Sequence, residues 1–280
     1  MNELAGKTVL VTGATSGLGL EASVKLARMG AEMVVVGRDR ARLEAAVADV
    51  RTRAGTQRIS GLLCDFSSQA SIRALASEFR SRHARLHVLV NNAGAASARR
   101  RVTVDGLEET FAVNHLGYFL LTNLLLDVIV KSAPARVVNV ASVAHRRADI
   151  DFDDLQLERG YTVMRAYGRS KLANILFTNE LSRRLAGSGV TVNSVHPGAV
   201  ATNIWSRAPW FARPVLVVAK RFMITPERGA DAIVHLAASP ELEGRTGGYY
   251  ENGALARRLW EVSERLTEVA PGAARTRRER

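Results

Sequence analysis

A single cysteine, Cys64, in 280 residues excludes an internal disulfide framework and any multi-cysteine metal site. Long apolar runs are also missing. The most apolar stretch, 119–130, is broken by Thr122, Asn123 and Asp127, well short of the ~18 residues a membrane span needs. No Pro/Gly/Ser-rich linker, low-complexity block or internal repeat divides the chain, so 1–270 reads as one domain. The histidines (His83, His87, His115, His145, His196 and His235) are dispersed, with no acidic partner at ligand spacing, and no metal site is expected. An apolar strand pattern begins at Thr8 and leaves no room for a signal peptide. A cytoplasmic protein without a membrane span is the simplest expectation.

Lysine is scarce. Lys7, Lys25, Lys131, Lys171 and Lys220 are the only ones among 39 basic residues, and the net charge is +12. Four arginines and one glutamate fall in 271–280, which reads as a basic, solvated and disordered tail. The other basic clusters, Arg99 to Arg101, Arg146-Arg147 and Arg257-Arg258, are scattered and lack interleaved aromatics. Nucleic acid is therefore not an expected partner. A positive field can instead help to attract a phosphorylated small molecule.

Apolar β-branched runs alternate with amphipathic stretches along most of the chain. Strands are predicted at 8–12, 32–37, 59–64, 88–91, 136–140, 191–196 and 248–251. Helices are predicted at 17–29, 39–54, 69–83, 106–131, 166–186 and 226–238. The pattern implies an α/β fold: a doubly wound, seven-stranded parallel sheet of Rossmann type with helices on both faces.

The first strand runs into Thr12-Gly13-Ala14-Thr15-Ser16-Gly17-Leu18-Gly19 and then a helix. Glycines allow a tight turn and close backbone approach, and the helix N-terminus offers amides to a pyrophosphate. Glycine-rich turns also simply join strands to helices; the strand–turn–helix context favours the nucleotide reading. The second strand ends Val36-Gly37-Arg38-Asp39. Where NAD-selective sites place a carboxylate for the ribose 2′-hydroxyl, this chain has Gly37 and then Arg38. An arginine there suits a 2′-phosphate, so NADP(H) is the expected cofactor. Asp39 reads as a helix cap.

Tyr167 and Lys171 lie four residues apart, on one face of a predicted helix. An ammonium beside a phenol favours the phenolate, which predicts a tyrosine pKa drawn toward neutrality and a usable proton donor. The alternative is a packed tyrosine and a solvated lysine. Tyr161 has no lysine four residues on and reads as packing.

Taken in order, Thr12–Gly19, Asp65, Asn91-Asn92-Ala93-Gly94, Asn114, Ser142, Tyr167, Lys171 and His196-Pro197-Gly198 resemble the short-chain dehydrogenase/reductase superfamily over about residues 5–255. The segments 138–145 and 167–174, and the Asp153-Asp154-Leu155 insert between Ser142 and Tyr167, are similar to its retinol dehydrogenase-like branch, which includes bacterial aromatic-polyketide ketoreductases. The resemblance implies a catalytic set of Asn114, Ser142, Tyr167 and Lys171. Ser142 would bond the substrate carbonyl, Tyr167 would donate the proton, and Asn114 would hold a water linked to Lys171. It implies a cofactor set of Gly13, Thr15, Ser16, Gly17, Leu18, Gly19, Arg38, Asp65, Phe66, Asn92, Ala93, Gly94, Tyr167, Lys171, Pro197, Gly198 and Thr202. Ala141 departs from the branch, where a second serine is more common. Relatives are often dimers or tetramers, which leaves a homo-oligomer open.

The implied activity is NADP(H)-dependent interconversion of a ketone or aldehyde and an alcohol. Trp205, Trp210, Phe211, Val215 to Val218, Phe222 and Met223 read as an apolar lid for a bulky lipophilic or aromatic substrate. These residues serve equally well as core or interface. The alternative function is a catalytically silent nucleotide-binding redox sensor, since fold does not fix function.

Overall fold

A computed structural model of the chain describes residues 3–198 and 224–251. Thr202, the apolar segment from Trp205 to Met223, Arg257-Arg258 and the basic tail lie outside the described residues.

The strands are β1 (Thr8–Thr12), β2 (Glu32–Gly37), β3 (Ile59–Leu63), β4 (Val88–Asn91), β5 (Ala135–Val140), β6 (Val190–His196) and β7 (Tyr249–Glu251). They form one parallel sheet in the order β3-β2-β1-β4-β5-β6-β7. Strand order reverses between β1 and β4, and the crevice of such a sheet opens at the carboxyl ends there.

Both faces of the sheet are covered because alternate residues of each strand point opposite ways. Val9, Val11, Met33, Val35, Val88 and Val90 bury against α1 (Gly17–Arg28), α2 (Arg40–Ala54) and α8 (Pro226–Ala238). Their neighbours Leu10, Val34, Val36, Leu89, Val137 and Val192 bury on the other face. They pack there against α3 (Gln69–Arg82), α5 (Gly117–Leu124), α6 (Leu126–Lys131) and α7 (Val163–Arg184). This two-sided burial is why the strands read as continuous apolar runs.

Helix ends follow local chemistry. Asp39 caps α2 by accepting from the Arg42 amide at 2.9 Å, the role its sequence context suggests. Thr225 caps α8 ahead of Pro226. Thr162 caps α7, so that helix starts at Val163, one turn before the expected 166.

The expected single helix over 106–131 is corrected. Gly106 sits at φ 76° in a turn. Glu108 then caps the short helix α4 (Glu109–Phe111), its carboxylate accepting from the Thr110 and Phe111 amides. A π turn follows at Ala112–Leu116, and Leu125 breaks the path between α5 and α6. Periodicity reports the buried face of this segment but not its interruptions, since Leu121, Leu125 and Ile129 are all buried across the break.

Candidate active site

A cavity of about 1130 Å³ opens at the carboxyl ends of β1, β2, β4, β5 and β6. Its nucleotide end is built mostly from backbone. Gly13 (φ 65°) and Gly17 (φ 56°) take left-handed conformations that L side chains rarely adopt. A Cβ on Gly13 would stand 2.7 Å from the Ala93 Cα, and one on Gly19 would stand 2.5 Å from the Gly13 carbonyl oxygen. The loop is therefore folded onto itself and onto the end of β4. Asn92 fixes that contact, with Nδ2 donating to the Thr12 and Gly13 carbonyls at 2.8 and 3.2 Å. The Thr12 hydroxyl accepts from the Asn92 and Ala93 amides. Beside them Asn91 bridges strands, donating to Asn139 Oδ1 at 2.9 Å and to the Thr122 hydroxyl at 3.0 Å.

At the tip of β2, a Cβ on Gly37 would lie 2.3 Å from the Thr15 methyl. No side chain fits there without displacing Thr15. Arg38 and Arg42 line the cavity beside it. Sequence reasoning misses Arg42. Its position four residues after Arg38, in the first turn of α2, is the available signal.

The other end, which holds the expected catalytic residues, is built from side chains on three segments. Ser142 follows β5, and its hydroxyl accepts from the Ala144 amide at 3.3 Å. Ser142 is also the neighbour that draws the Tyr167 phenol back down against the effect of burial. The serine thus serves the loop backbone and the tyrosine together. Gly168 makes this approach feasible, because a Cβ there would meet the Ala144 carbonyl oxygen at 2.9 Å. One turn along α7, Lys171 is buried and its Nζ donates to the Val140 carbonyl at 2.9 Å.

Asn114 sits inside the π turn, a feature frequent at functional sites. Its side chain accepts from the Ala95 amide at 2.7 Å and donates to the Ala95 carbonyl and the Ser170 hydroxyl, both at 3.0 Å. Its main-chain carbonyl accepts from Asn174 Nδ2 at 2.9 Å. Sequence reasoning does not single out Asn174, yet it joins Asn114, His115 and the Val140 carbonyl in one buried polar network. Lying one turn beyond Lys171 is its only signal.

Burial governs the site's proton affinities. Surrounding protein pushes the Tyr167 phenol up to about 12, partly offset by the neighbouring Ser142. Burial pushes the Lys171 amine down to about 7. The phenol drawn toward neutrality that the spacing predicts is not what this geometry gives. Lys171 points its ammonium at a backbone carbonyl, and desolvation opposes charging of either group. Tyr167 accordingly holds its proton throughout the neutral range, the form that a proton donor requires.

Of the expected site residues, Gly13, Thr15, Ser16, Gly17, Leu18, Arg38, Asp65, Phe66, Asn92, Ala93, Gly94, Ser142, Tyr167, Lys171, Pro197 and Gly198 line this one cavity. Gly19 and Asn114 stand behind its wall, bracing the loop and α7. Tyr161 is tied to the Ser97 carbonyl at 2.7 Å, away from the catalytic set. Cys64 is buried beside the cavity, its thiol pushed up to about 12 by burial. Among the described residues, no helix is long and apolar enough to cross a membrane.

Residues 7–209 match the short chain dehydrogenase family. The chain is 43% identical to Retinol dehydrogenase 14 of Homo sapiens, over 92% of this chain and 85% of that protein. It is 43% identical to human Retinol dehydrogenase 11, over 93% and 86%. It is also 40% identical to the human WW domain-containing oxidoreductase, over 97% and 70%. Among solved structures, an uncharacterized protein from Mycobacterium Paratuberculosis aligns with a TM-score of 0.71 at 33% identity, covering 94% of each chain. A short chain dehydrogenase from Shigella flexneri, complexed with NADP, aligns at 0.71 and 22% identity over 90% of this chain and 98% of that one, and shares the fold.

Proposed function

Because the chain belongs to the short chain dehydrogenase family, in its retinol dehydrogenase-like branch, we propose that this oxidoreductase uses NADP(H) to interconvert a carbonyl and an alcohol on a bulky lipophilic or aromatic substrate. The observation that carries the reading is that Ser142, Tyr167 and Lys171 line one nucleotide-sized cavity, with Lys171 Nζ 5.6 Å from the centroid of the Tyr167 ring.

The residues fit a dinucleotide. Gly13 and Gly17 bring the backbone of the turn close to the cavity, and the N-terminus of α1 faces the place where a pyrophosphate would rest. Preference for NADP(H) is supported by Gly37, which offers no carboxylate and where any side chain would have to displace Thr15, and by Arg38 and Arg42 at the same end. Asp65 and Phe66 line the neighbouring wall, suited to an adenine ring.

A reduced nicotinamide, when bound, supplies the hydride equivalent. The side chains supply the rest. Ser142 and Tyr167 donate hydrogen bonds to the substrate oxygen and stabilise the negative charge that develops on it. Tyr167 then releases its phenolic proton to that oxygen, completing the alcohol. Lys171 steadies the resulting phenolate. Asn114 and Asn174 hold α7 in register with the π turn, so that Lys171 and Tyr167 keep their spacing. A lipophilic substrate is supported by the names of the retinol dehydrogenase relatives and by the exposed Val143 and Met164 at the cavity wall.

The test is a carbonyl panel of retinal-like aldehydes, steroids, aromatic polyketide ketones and small quinones, with NADPH consumption followed by absorbance. Turnover of at least one bulky carbonyl is expected. Tight NADPH binding with no turnover across the panel would instead identify a redox sensor.

A further inference from the structure

Tyr118, on α5, is fully buried and carries a hydroxyl with no hydrogen-bond partner among the described residues. Lys171 Nζ lies 5.7 Å from the centroid of the Tyr118 ring and 5.6 Å from that of the Tyr167 ring. The placement follows from register. Asn114 and Tyr118 are four residues apart on one segment, and Ser170, Lys171 and Asn174 face them from α7. Asn114 meets Ser170 and Asn174 through hydrogen bonds, and the next rung is Lys171 against Tyr118.

An ammonium has three donors and seeks compensation for each when desolvated. Here one goes to the Val140 carbonyl, and no ion pair to Lys171 occurs among the described residues. Titratable or charged groups on the elements packed against α7 are Glu109 on α4, His115 on the π turn and Arg136 on β5. Others are His145, Arg146 and Arg147 after Ser142, Asp149 and Asp154 against Arg169, and His196 on β6. Within the described residues, the aromatic faces set against the ammonium are those of Tyr118 and Tyr167. A ring face within ~6 Å attracts a cation, more strongly where water is excluded.

We propose that Tyr118 is a positioning residue for Lys171, its ring forming the second aromatic face that holds the lysine in its charged form at the floor of the site. The hydroxyl is not the active part; the electron-rich ring is. The role does not depend on which substrate or cofactor the enzyme uses.

The experiment reads Lys171 directly. Reductive methylation with formaldehyde and cyanoborohydride is followed across pH by mass spectrometry of the peptide carrying Lys171, and the midpoint reports when the amine loses its proton. In Tyr118→Phe, which keeps the ring, the midpoint should match the wild type. In Tyr118→Leu it should fall by roughly 0.4–1.5 pH units. Because leucine there can loosen the fold, 3,4,5-trifluorophenylalanine at position 118 supplies the same shape with the ring charge withdrawn, and should lower the midpoint likewise. An unchanged midpoint with the fluorinated ring overturns the proposal. So does a fall in Tyr118→Phe as large as that in the fluorinated variant, because the hydroxyl would then be responsible.

Discussion

The two ends of the cavity solve different problems with different materials. The nucleotide end is backbone. In the turn from Thr12 to Gly19, the residues Thr12, Gly13 and Gly19 pack against Asn92 and Ala93, and the decisive feature is the absence of Cβ atoms at the two glycines. The catalytic end is side chain, drawn from the π turn, the loop after β5 and helix α7, and it is stabilised by buried polar bonds. Binding a phosphate calls for geometry that water does not disturb. Moving a proton calls for groups whose ionisation depends on how much water has been removed.

Tyr167→Phe should break the comparison hardest. Turnover should drop by ~10²–10⁴, the usual contribution of a positioned acid, while NADPH affinity stays near wild type. Stopped-flow reduction and fluorescence titration check the two halves, and substantial residual turnover would remove Tyr167 from its role. On the other side, Arg38→Ala should lower the ratio of NADPH to NADH efficiency by ~10–100-fold, the scale of one charge-assisted bond, without a matching loss of turnover. A preserved ratio would end the NADP(H) assignment.

Asn114→Ala tests whether the catalytic end is a stability element as well. It removes the buried bond to the Ser170 hydroxyl and the side-chain partner of the half-buried Ala95 amide and carbonyl, for a total loss of about 1–3 kcal/mol. Urea unfolding should show the loss, and an unchanged midpoint would mean that these bonds are not holding the π turn.

The pH dependence separates the ends further. Lys171 titrates near 7 in the folded chain and near 10.5 when unfolded. Between those values the unfolded state binds more protons, so stability rises with pH. Below about 7 both states are protonated and the full penalty of burying the ammonium applies. Lys171→Met should therefore flatten the rise in thermal midpoint between about pH 7 and 10. An equal slope in both proteins would refute the lowered lysine. The smallest effect is expected from Arg42→Ala, a few-fold loss of NADPH affinity that shrinks with added salt; an effect equal to that of Arg38→Ala would make the two arginines equal partners.

Much of this is legible in the order of residues alone. The strand limits come from runs that are apolar on both faces, and the loop at Gly13 from a spacing only a tight turn tolerates. Asp39 is readable as a cap because its side chain bonds an amide three residues away. The break-up of 106–131 is not legible, because a buried face continues across Leu125 and the π turn at Asn114 leaves no compositional mark. Asn174 and Tyr118 stay hidden for a related reason: a buried asparagine or tyrosine looks like any other until its neighbours are known.

The sequence by itself determined the parallel sheet, the glycine turn after β1 and the pairing of Tyr167 with Lys171 on one helix face, because periodicity and short-range spacing are written along the chain. Only the tertiary structure decided the charge state of that pair. Spacing alone promised a phenol near neutrality. Burial by residues distant in sequence instead keeps the proton on Tyr167 and loosens it on Lys171, because the cost of a buried charge depends on everything that surrounds it.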